Sequence, residues 1–158
     1  MTRRLSDQCV VKYRRPRTAT FGAEGRLLEA LYPLLPFVDG CMRMLPHELD
    51  IDRIRLGLSL FLLGAIDRYW QRGSVDDRLF PAAADTLLGK HDMNPGTAFI
   101  AAAAPQVRGA QHGRSILLQG GELMDMWLDS RDANTLLGLP GLARDWERFS
   151  RDFGRCAF

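Results

Sequence analysis

The side chains able to do chemistry in this chain fall into a few small sets. There are three histidines, His47, His91 and His112, and three cysteines, Cys9, Cys41 and Cys156. His47-Glu48 opens like a HExxH zinc motif, but position 51 is isoleucine, so no second imidazole follows one turn later. His91-Asp92 has the composition of an acid–base pair oriented by a carboxylate, yet it sits in the turn sequence KHDMNPG. His112-Gly113 reads as the end of a helix. The three histidines come from separate segments, so a catalytic or metal-binding role requires the fold to bring them together in an interhelical pocket. Glu122, Asp125 and Asp129 stand at i, i+3 and i+7 and share one helical face. Di-metal helices add a histidine three residues from such a carboxylate, and none is present. A solvated face paired with Arg114 or Arg131 is the expectation.

Nucleophile motifs are absent too. No serine lies in a GxSxG elbow or an SxxK context, and no glycine pattern matches a phosphate-binding loop. Three widely spaced cysteines make neither a disulfide framework nor a CxxC metal site. No cofactor, metal or catalytic residue is expected, and reduced thiols fit the cytoplasm. No apolar run follows the early arginines, so no secretory signal is expected either.

Charge is unevenly placed. Residues 1–26 carry seven basic and two acidic side chains, and because the whole chain is only +2, residues 27–158 carry a net −3. Residues 1–21 hold little hydrophobic periodicity and read as a flexible basic arm. Arg3, Arg4, Lys12, Arg14, Arg15 and Arg17 are its candidate contacts to phosphates or to a partner protein, with Tyr13 as a candidate stacking group. Residues 22–158 read as a single helical domain.

The elements that must position all this are helices. Leu49 to Arg72 places apolar residues at 51, 54, 58, 61, 62, 65 and 69, one face of an α-helix. A second apolar row at 56, 60, 63 and 70 makes its middle apolar nearly all round, which predicts burial. The uncharged run of residues 56–66 is too short for a membrane span, which needs about 20 residues. Other helices are expected from about 22 to 45, interrupted at Pro33 and Pro36, over 76–89 after a cap at Ser74, over 97–111 with a bend at Pro105, over 122–130, and from Pro140 onward. RSILLQ (114–119) is ambiguous between helix and strand, and Gly120-Gly121 is either a break or a point of close contact. The fold class is all-α: a single-domain bundle of six or seven helices around a buried central helix, about 49–72.

The last helix is strongly amphipathic, with Trp146, Phe149 and Phe153 in one stripe. That stripe either docks on the chain's own core or fits a partner's groove. A helix-turn-helix pair over 76–89 and 97–111 would read bases poorly, because its second helix is mostly alanine. The expected function is a non-enzymatic helical interaction module: an adaptor, chaperone or small subunit of a bacterial assembly, binding another protein or a second copy of itself as a homodimer. The alternative is a nucleic-acid-associated protein using residues 1–21. The second alternative is an enzyme or ligand binder of unfamiliar type, built on the histidines.

Overall fold

The computed structural model describes residues 22–73, 75–104 and 110–157. Among these are seven α-helices and three short 3-10 turns, with no strand. The basic arm, including Arg3, Arg4, Lys12, Tyr13, Arg14, Arg15 and Arg17, lies outside the described residues.

Helix α1 (Ala23–Leu31) passes through a 3-10 turn (Tyr32–Leu34) into α2 (Leu35–Met44). Pro33 has no N–H to donate and crowds the turn before it, so the α pattern breaks there. Pro36 then falls in the first turn of α2, where a missing donor costs little. Leu31, Leu34, Phe37, Val38 and Cys41 are buried from this segment.

Helix α3 (Ile51–Gly73) is the centre of the molecule. The Asp50 carboxylate accepts from the Asp52 amide at 3.0 Å and caps it. Every residue from 57 to 66 is buried, as the all-round apolar pattern predicts. Helix α4 (Phe80–Gly89) and helix α5 (Pro95–Ala103) carry the chain across, and both touch α3. The cap before α4 is Asp76, whose side chain accepts from Arg78 N and opens the 3-10 turn Asp77–Leu79. Ser74, the expected cap, lies outside the described residues. Asn94 caps α5 by accepting from Thr97 N at 3.4 Å.

Helix α6 (Ala110–Ser130) differs most from the sequence expectation. His112-Gly113 does not end a helix but lies in its first turn. RSILLQ is helical, and Gly120-Gly121 is a point of close contact inside one long helix. A Cβ on Gly64 would sit 1.9 Å from the Leu117 carbonyl oxygen, and one on Gly120 would sit 1.9 Å from that of Phe61. The two backbones therefore touch, which only glycine permits at these two positions. Lower down, Gly113 faces Leu60, and higher up, Gly121 faces Arg68. Contact positions climb together along both helices, so α6 runs parallel to α3, with α4 and α5 as the crossover.

Arg131 (φ 54°) turns the chain out of α6. A 3-10 turn (Ala133–Leu136) leads into α7 (Leu139–Ala157). Gly57 meets Trp146 and Ser150, while Phe61 stacks on Trp146 at 5.0 Å, so α7 runs antiparallel to α3. The buried apolar side chains form one contiguous core. Among the described residues no helix is long and apolar enough to cross a membrane.

Candidate functional site

The carboxylate face of α6 is paired, though not with the partners that sequence spacing suggests. Asp125 lies 2.9 Å from Arg68 and 3.1 Å from Arg72, and Asp129 lies 2.9 Å from Arg72. Both arginines come from α3, whose last two turns run beside those of α6 because of the glycine contact below. The Asp129 hydrogen bond raises the Arg72 pKa, burial opposes it, and Asp125 adds to the rise. Arg114 instead donates toward the Ala102 carbonyl at 3.5 Å, and Glu122 is exposed.

His112 sits on α6 with Nε2 at 2.9 Å from both carboxylate oxygens of Asp145 on α7. Its ring meets Phe149 edge-on at 5.4 Å. A histidine held by a carboxylate is half of an acid–base device, but here the pair ties two helices together. His47 is exposed in the turn between α2 and α3, and His91 is half-buried in the turn after α4. No three His, Cys, Asp or Glu side chains cluster as a metal site among the described residues. Burial pushes the Cys41 thiol far above its ordinary range, so it stays a protonated core group. Asp67, half-buried on α3, accepts from Gln71 Nε2 at 2.7 Å. Burial raises its pKa, with Arg68 pulling the other way.

Trp146, Phe149 and Phe153 are buried in the chain's own core. Packing against Phe61 and around Gly57 turns the stripe inward. The opposite, outward face of α7 carries Arg144, Arg148 and Arg151, all exposed. With Glu147 they line a shallow groove of about 320 Å³.

Helix α5 has a different surface. Its sequence, PGTAFIAAA, contains no charged side chain. Ala98 and Ala101 face the core, while Gly96, Thr97, Phe99, Ile100 and Ala103 face out. Ile100 is 66% exposed and Phe99 41%. The Phe99 ring packs edge-on against Phe80, which packs on Trp70, so the outward aromatic is anchored to the core. A helix without a polar face is normally buried throughout, and this one is covered on one side only.

Sequence reasoning noted the alanine run as a close-packing feature and overlooked that the helix has no polar residue but Thr97 to turn toward water. It placed Arg144, Arg148 and Arg151 among the charged residues around the stripe of the last helix, without reading their i, i+4, i+7 spacing as a face of its own. No family model, no curated protein and no solved structure matches this chain.

Proposed function

We propose that this protein is a non-enzymatic helical interaction module of the cytoplasm, an adaptor or small subunit, that holds a protein partner on the outward face of α5. The observation that carries this reading is the exposed, charge-free surface of that helix, with Ile100 and Phe99 open to solvent. Scattered single hydrophobics are ordinary on a surface; Leu28 and Tyr32 are exposed too, but on a segment that carries the charged side chains Glu24, Arg26 and Glu29. On α5 no charged side chain interrupts the exposed face, and Phe99 is fixed by Phe80, which lowers the entropy lost on docking. Desolvated apolar and aromatic anchors of this sort supply most of the affinity in protein interfaces.

The chemistry-bearing side chains support the same reading. Asp125, Asp129 and His112 are each bound to a structural partner.

The test is capture from the native host with the full chain and with Ile100→Asp, both checked for helix content. A stoichiometric partner held by the wild type and reduced at least tenfold on I100D is the expected result. Equal recovery on both baits, or no partner on either, contradicts the reading.

A further inference from the structure

The outward crest of α7 is the second surface whose chemistry stands out. Arg144, Arg148 and Arg151 follow at i, i+4 and i+7, which sets three guanidinium groups along about 10 Å of helix. Arg144 and Arg148 have no carboxylate partner among the described residues. Arg151 has only a loose contact to Asp152 at 4.0 Å. The other charges of the helix lie to the sides. Asp145 is turned to His112 on α6, and Glu147 is the one carboxylate lining the groove. The crest therefore presents three cations against two anions, Glu147 and Asp152, on a body whose net charge over residues 27–158 is negative.

We propose that this crest binds the phosphodiester backbone of a nucleic-acid duplex, without reading its sequence. Three arguments select that occupant. The arginines follow one another at i, i+4 and i+7 along about 10 Å of helix, so they suit a repeating anion better than a single phosphate or carboxylate. The aromatics of α7, Trp146, Phe149 and Phe153, are all buried, so the face has no platform for stacking unpaired bases, which single-strand binders need. Among the described residues no apolar anchor stands on the crest. A charge-only face adds little affinity for a protein partner, where desolvated side chains dominate. It does suffice for a duplex, where neutralising phosphates releases condensed counterions. This site is separate from α5 and stands whether or not the proposed protein partner exists.

The experiment is fluorescence anisotropy of a labelled nonspecific DNA duplex of about 25 base pairs, titrated with the full chain at several salt concentrations. Four variants accompany the wild type: R144A/R148A/R151A, R144K/R148K/R151K, a chain lacking residues 1–21, and I100D. The account expects wild-type binding at low salt and at least a tenfold loss in the alanine triple variant. It expects the slope of log affinity against log salt to shrink by about 2–3 in that variant, one contact's worth per arginine. The lysine variant keeps most of the slope, the I100D variant binds as wild type, and the truncated chain keeps the arginine-dependent part. Absence of wild-type binding at low salt overturns the proposal. So does an alanine variant with the wild-type slope, or binding lost wholly with residues 1–21, which assigns it to the arm. Polyglutamate that binds in an arginine-dependent way where the duplex does not assigns the crest to an acidic protein segment, and equally overturns it.

Discussion

At the scale of single residues, burying a polar group carries an electrostatic cost, and Asp67 shows it. Its carboxylate lies half-buried on the central helix, held by Gln71, and burial raises its pKa above that of the unfolded chain. A raised folded-state pKa means that the folded form binds the proton more tightly. The group therefore favours folding below its ordinary value of 3.8, and that contribution is lost as pH rises through the folded value. At neutral pH the ionised carboxylate is a net cost. Asp67→Asn keeps an acceptor for Gln71 and removes the charge, so it is expected to stabilise the protein by up to about 1 kcal/mol at pH 7. The gain should fade toward pH 3. Thermal melts of both proteins across that range check it, and a variant less stable than wild type at pH 7 contradicts it. Little of this was legible in the sequence, because the burial of Asp67 and the pairing of His112 with Asp145 depend on which helices become neighbours.

At the scale of elements, the crossing of α3 and α6 decides the architecture. Gly64 and Gly120 let the two backbones touch, and that contact brings Asp125 and Asp129 to Arg68 and Arg72. Alanine at position 64 or 120 would place a methyl group against a carbonyl oxygen with no flexible side chain to yield. Gly64→Ala and Gly120→Ala are expected to cost about 2–4 kcal/mol each, above the usual range for overpacking because backbone must move. Gly141→Ala is the control. That glycine lies on the outer face of α7 with nothing within 4 Å of an added Cβ, so helix propensity alone predicts a gain of about 0.5 kcal/mol. Urea titrations compare the three, and equal midpoints for G64A and G141A would dismiss the close approach. The central helix was legible because a pattern apolar on all sides has one resolution, burial. The course of α6 was not. Glycine pairs and a His-Gly step ordinarily punctuate helices, and their use as contact points needs the facing helix.

At the scale of the whole molecule, the core absorbs the features that look most functional in the sequence, and the surface keeps two others. The aromatic stripe of α7 closes the core, while the same helix turns three arginines outward. The alanine-rich helix α5 packs closely on α3 as its composition suggests, yet leaves Phe99 and Ile100 uncovered. Both outward faces were written in the sequence as spacing. Neither could be recognised before the inward face of each helix was known, since amphipathic patterns define a surface only relative to a core. The helical body carries an uncharged apolar face on α5, proposed to hold a protein, and an arginine crest on α7, proposed to hold phosphates, on different helices. Its central claim is that a protein covers α5. The most direct measurement is photocrosslinking in the native host, with a photoreactive amino acid placed at position 100 and, as comparison, at position 137, where Leu137 is similarly exposed at 62% in a turn outside any helix. The account predicts a discrete crosslinked species from position 100 and none from position 137. The same crosslinks from both positions, or none from position 100, would contradict it.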